Sequence, residues 1–192
     1  MIRVLVAGVL GGVVVFGCGF VEHMVFEWGG RSFSRLPSES AMVEFMKSQN
    51  LPPGLYGFPE MPQNVPKEQQ DKVRAEINER YKQGPNGFLV VGPTGEDMMG
   101  PQQLGFEAAT NVVAALIAAW IVSLLAPSTI FPTRWLVVLL MGAMAWLSIS
   151  ASYAIWYRFP WPFILDELYC ALFEWGVAGL VIATIAKPRA TA

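Results

Sequence analysis

Four long stretches of this chain carry almost no charge, and the segment between the first two carries most of it. Val4 to Val21 has no charged residue and continues through Glu22 and His23 to Trp28; Leu104 to Ala126, Trp135 to Tyr157 and Phe163 to Ala186 follow. A helix rises about 1.5 Å per residue, so roughly 20 apolar residues cross a hydrocarbon core of about 30 Å. Each stretch therefore predicts a membrane span. The fold expected is an all-α membrane protein of four transmembrane helices (1–28, 103–126, 135–157 and 163–186), with a small α+β extramembrane domain (29–102) inserted between spans one and two. The first span follows only Met1-Ile2-Arg3, and no small-residue cleavage site closes it, which reads as an uncleaved anchor. Pro127, Pro132, Pro160 and Pro162 are expected in the tight connections.

The polar segment carries punctuation of its own. Ser38 or Ser40 can cap a helix running to about Asn50, with Met42, Phe45 and Met46 on one face. A second helix is expected from near Pro66, with Val73, Ile77 and Tyr81 at intervals of four, ending at Gly84-Pro85. Phe88 to Val91 reads as a strand, with Leu55 to Phe58 as its natural partner.

Composition sharpens this picture by exclusion. The 192 residues are 54% hydrophobic and 15% charged, against about 25% charged in soluble domains, and the mean hydropathy is +0.42. A net charge of -2 leaves no positive field for nucleic acid. One His and two Cys are too few for a zinc finger, a bis-histidine haem or an iron–sulfur cluster built from this chain alone. Gly84-Pro85-Asn86-Gly87 and Gly92-Pro93-Thr94-Gly95 are turns without the lysine of a phosphate loop. No catalytic residue, cofactor or metal is expected, and the partner the composition demands is the lipid bilayer.

Depth is the most informative property of the remaining polar residues, because a polar group in hydrocarbon is costly. Glu22 and His23 end span one, Glu107 and Asn111 begin span two, Ser148 lies in the second half of span three, and Asp166 and Glu167 open span four. All fall on the side of the long loop. The opposite half offers Ser123 and Thr184. Glu174 stands apart, near the middle of span four with no Lys or Arg at its depth; Ser148, Asn111 or the Trp146 indole are its expected hydrogen-bond donors. Glu167, Cys170 and Glu174 share one helical stripe. Glu22, His23, Glu107, Asn111, Ser148, Asp166, Glu167 and Glu174 thus make a candidate ligand or proton pocket, provided that they converge between helices and do not splay into headgroups.

Gly8-x-x-x-Gly12 and the pairs Ala114/Ala118 and Ala115/Ala119 are faces for close helix approach, within the chain or with another subunit. Basic residues near the span ends (Arg3, Arg134, Lys187 and Arg189 against Arg31, Arg35 and Arg158) place both termini in the cytoplasm and the loop in the periplasm. Trp28, Tyr153, Trp156, Tyr157, Trp161 and Phe163 would then line the outer interface. Gly54-Leu55-Tyr56-Gly57-Phe58-Pro59, Gly84-Pro85-Asn86-Gly87 and Tyr157-Arg158-Phe159-Pro160 before an acid-bearing last span together resemble a group of uncharacterised small bacterial membrane proteins. That resemblance implies the bacterial inner membrane and carries over no activity. The function expected first is a non-catalytic accessory or structural subunit of a larger inner-membrane complex, with other membrane subunits as partners. The alternative is an outward-facing polar pocket, floored by Glu174, that binds a small molecule, proton or metal.

Overall fold

A computed structural model describes residues 1–188; Arg189, counted above among the inner charges, lies outside the described residues. The protein is mostly helical and has four helices long and apolar enough to cross a membrane. It divides into two compact units, one made of Met1–Ser34 with Asp97–Ala192 and the other of Arg35–Glu96.

The first unit contains α1 (Ile2–Met24), α4 (Pro101–Ser123), α5 (Phe131–Ser148), α6 (Ser150–Tyr157) and α7 (Trp161–Ile185). Proline sits in the first turn of α4, α5 and α7, where its missing N–H has no helical partner to lose and its fixed φ suits the helix. Pro132 and Pro162 therefore start helices; they do not fill connections. The third span begins at Phe131, earlier than the hydropathy suggested, and breaks at Ile149 (φ -112, ψ -67), which separates α5 from α6. Arg158 adopts a left-handed conformation (φ 62, ψ 26) and stops α6.

Helices α1 and α7 pack together at the centre, with α4 against α1 and α5 against α7. The core they share is made of small and β-branched residues: Ala7, Val15, Ala115, Ala118, Ala119, Val122, Val138, Ala178 and Ile182 are all buried. A Cβ placed on Gly8 would fall 2.7 Å from the Leu116 Cα, and one on Gly12 would collide with Val112 Cα. The Gly8/Gly12 face is thus filled by α4 of the same chain at Val112 and Leu116, with Ala115 against Gly11; Ala115, Ala118 and Ala119 are buried and Ala114 is half-buried. Between α5 and α7 the Trp135 indole donates to the Gly176 carbonyl (2.8 Å), and Arg134 Nε to the Ala183 carbonyl (3.0 Å). Large apolar side chains such as Leu5, Val13, Ile117, Trp120, Leu140 and Leu180 point outward. In water that would be an aggregation surface; in lipid it is the required one.

The second unit holds α2 (Glu39–Ser48), β1 (Gly54–Phe58), α3 (Gln70–Gln83) and β2 (Gly87–Val91). β1 and β2 pair antiparallel, Gly54 opposite Val91 and Phe58 opposite Gly87. Ser38 is the N-terminal flank of α2, but its side chain makes no capping hydrogen bond. Pro66 precedes a short 3-10 turn (Lys67–Gln69) that leads into α3, and Gly84, at φ 60, ends it, a backbone angle that glycine adopts without a Cβ penalty.

Candidate functional site

In the half of the first unit that contains the end of α1 and the start of α7, side chains from α1, α5 and α7 line a partly open cavity of about 240 Å³. The stripe on α7 supplies Glu167, Cys170 and Glu174, one helical turn or two apart; α1 supplies Glu22 and His23; α5 supplies Trp146. Gly142 on α5 lets Trp175 approach closely, since a Cβ there would lie 2.5 Å from the indole Cδ1. Gly19 on α1 leaves space for Glu174: a Cβ at that position would lie 3.4 Å from Oε1.

Glu22 is the central feature. It is 0% exposed, and neither Oε1 nor Oε2 has a hydrogen-bond donor of normal geometry. Cys170 and Glu174 stand beside it, near enough for weak polar contact, but a thiol is a weak donor and a second carboxyl brings more negative charge. Both cysteines are free, with Cys18 buried one turn below Glu22. His23 is exposed at the rim, where Nδ1 donates to the Trp28 carbonyl (3.3 Å). Among the described residues the cavity wall holds no lysine or arginine.

None of the three donors expected for Glu174 serves it. The Trp146 indole donates to the Ile164 carbonyl (2.7 Å), and Asn111 donates to Glu107 (3.2 Å) on the open face of α4. Ser148 is exposed, and its carbonyl accepts from the Ser152 hydroxyl. The Trp146 indole is taken by a backbone carbonyl of α7 and the Asn111 amide by a carboxyl on its own helix, a choice of partner that sequence depth does not reveal.

Asp166 does not join the glutamates. It is 2% exposed and accepts from the Gly29 amide (3.3 Å) and the Ser32 hydroxyl (3.2 Å), tying the turn after α1 to the start of α7. The interfacial aromatics also pack inward in part: Trp28 lies against Tyr169 and Phe173, and Tyr153 against Tyr157 and Phe159, while Trp156 and Trp161 remain exposed. Trp175, Ser150 and Gly142 line the cavity without having been foreseen. Trp175 follows Glu174 directly, and only the position of α5 brings it into the same wall.

Beyond the midpoint of α7, away from the cavity, the hydroxyls satisfy themselves: Ser123 donates to the Trp120 carbonyl (2.6 Å) and Thr184 to the Leu180 carbonyl (2.7 Å). A larger, more open hollow in the 35–96 unit is lined by Val73, Ile77 and Tyr81 of α3, with no cluster of acids or nucleophiles. Among the described residues no group of three or more His, Cys, Asp or Glu is arranged to hold a metal ion.

Comparison with known proteins finds no matching family model, no matching curated protein and no matching solved structure.

Proposed function

We propose that this multi-pass membrane protein is a non-catalytic binding protein, which takes a small positively charged or hydrogen-bond-donating ligand into the acid-lined cavity between α1, α5 and α7. The observation that carries the reading is Glu22, fully buried with no donor of ordinary hydrogen-bond geometry for either oxygen and sharing its wall with Glu167 and Glu174. Burying a carboxylate without a partner costs several kcal/mol, and ionisable groups at membrane depth are kept at function. A positive or donating ligand supplies what the wall lacks. Binding is favoured over passage across the membrane because the hydroxyls beyond the cavity are committed to their own helices and form no polar route.

Part of the support for the subunit reading, the Gly8/Gly12 face and the alanines at 115, 118 and 119, is packed inside the chain's own helices. The setting we propose is a bacterial inner membrane with both termini cytoplasmic and the 35–96 unit periplasmic. Its support is the resemblance of the Gly/Pro motifs and the placement of Arg3, Arg134 and Lys187 near the inner span ends.

The test is a thermal-stability screen of the full chain in lipid nanodiscs against monovalent and divalent metal ions, alkylamines and neutral hydrogen-bond donors. A ligand at a hundred times its Kd stabilises by about 2.7 kcal/mol, so at least one class raises the midpoint clearly. Glu22→Gln and Glu174→Gln abolish the rise. A protein indifferent to every class overturns the reading.

A further inference from the structure

Resting on that binding reading, we propose that the ligand of this cavity is a protonated alkylamine, a primary or secondary ammonium whose N–H groups reach Glu22 and whose cationic head lies against Trp146 and Trp175. Three observations converge on this class.

The first is the pattern of unmet need at Glu22. Both of its oxygens are buried and meet no donor of ordinary hydrogen-bond geometry; the Trp146 indole is spent on Ile164 and the His23 ring on Trp28, which leaves the Cys170 thiol and the Glu174 carboxyl beside it. A thiol is a weak donor and a second carboxyl adds negative charge, so a ligand that brings N–H donors and positive charge improves on both. A quaternary ammonium carries charge but no N–H and would leave both acceptors unsatisfied. A primary ammonium has three donors and can bridge Glu22 to Glu174 or Glu167.

The second is the aromatic wall. Trp146 and Trp175 line the same cavity as the three glutamates. Carboxylates alone would equally suit a hydrated metal ion; two indoles in the same wall favour an organic cation, which an aromatic neighbour attracts and whose carbons it contacts. The metal alternative also lacks its geometry, since among the described residues no cluster of three ligands is arranged for one.

The third is size. The cavity holds about 240 Å³, more than the roughly 150 Å³ that suffices for benzene in an engineered apolar cavity. A bare proton would leave that space empty, whereas an amine of a few carbons occupies it.

An ammonium of this kind has two sources, a free small amine or the headgroup of phosphatidylethanolamine, and the test separates them. The full chain is placed in nanodiscs of phosphatidylcholine and phosphatidylglycerol and titrated with ethanolamine, n-butylamine and tetramethylammonium, followed by tryptophan fluorescence and thermal midpoint. Ethanolamine and n-butylamine saturate both signals and tetramethylammonium does not. Glu22→Gln weakens the amine at least tenfold, and Glu174→Gln serves as the second variant should the first fail to fold. In parallel discs containing phosphatidylethanolamine, a raised starting midpoint that free amine no longer shifts identifies the headgroup as the source. An unchanged midpoint that free amine still shifts identifies the soluble amine. If tetramethylammonium, a divalent metal or a neutral donor binds and the primary amines do not, the amine assignment falls while the binding reading stands. If no probe binds, both fall.

Discussion

Toward its N-terminus α1 uses Gly8, Gly11 and Gly12 to bring helices together, with the Gly11 position facing Ile182 of α7 and the other two facing α4 backbone. Two turns further on, Gly17 has nothing within 4 Å and Gly19 faces only the Glu174 carboxyl, and Glu22 is buried without a donor. The first half of the helix is dry and filled by alanine, valine and isoleucine; the second half borders a cavity walled by acids and indoles. Helices in lipid associate by van der Waals fit and not by a hydrophobic drive, so the close approach of α4 and α7 at these glycines is where this bundle gains its stability. That gain lets the other end keep groups that packing alone would have replaced, the usual relation between a stable scaffold and a costly site.

The contrast is broken most severely at Gly12. Leucine there cannot be accommodated by a side-chain shift, because the obstruction is the Val112 backbone, so α1 and α4 must separate. Gly12→Leu is expected to cost about 3 kcal/mol, the upper part of the overpacking range, read as an earlier loss of helical signal when the micellar protein is titrated with denaturing detergent. Wild-type resistance would show that the seam is not what holds the bundle.

Asp166 and Glu22 sharpen the comparison next, because both are buried acids and only one is satisfied. Asp166→Ala orphans the Gly29 amide and is expected to cost about 2 kcal/mol, with faster hydrogen exchange at that amide and with ligand-induced stabilisation retained. Glu22→Met has the opposite sign. The side chain is close in volume, and the unmatched acceptors disappear, so stability rises by about 1 kcal/mol while ligand-induced stabilisation is lost. Thermal midpoints of the two variants with and without ethanolamine check both. A Glu22→Met protein less stable than wild type would mean that Glu22 is partnered.

These opposite signs also mark where the sequence stops being legible. Apolar runs of this length are strong signals, because the hydrocarbon core dictates span length and leaves no alternative to helix, whereas a proline at their edge does not tell a connection from a first helical turn; the hairpin of Gly54–Phe58 with Gly87–Val91 was readable from β-branched and aromatic residues between turn signals. Glu167, Cys170 and Glu174 share a face by helical period alone. What periodicity does not carry is the rotation of one helix against another. Glu107 and Asn111 have the same depth as the acids but bond to each other on an open face of α4, and Asp166, adjacent to Glu167, points to the 29–32 turn because neighbours on a helix diverge by about 100°. The break at Ile149 is equally silent in the sequence, because Ser148, Ser150 and Ser152 are all tolerated in a span.

The smallest expected effect gives the finest measure of the cavity wall. Gly17 and Gly19 sit in the same helix, so replacing either by alanine reduces the backbone freedom lost on folding by a similar amount, about 0.5–1 kcal/mol. At Gly17 the new methyl meets nothing, and Gly17→Ala is expected to realise that gain in full. At Gly19 the methyl would arrive 3.4 Å from Glu174 Oε1, at the edge of ordinary contact, and would strip solvent or ligand from a carboxyl. Gly19→Ala is therefore expected to gain close to nothing and to weaken amine binding several-fold, while Gly17→Ala leaves binding untouched. Paired thermal midpoints and amine titrations of the two variants decide the matter. Equal gains with equal affinities would mean that the Glu174 carboxyl swings freely away from α1, and the second half of that helix would then border open space instead of forming one wall of a binding site.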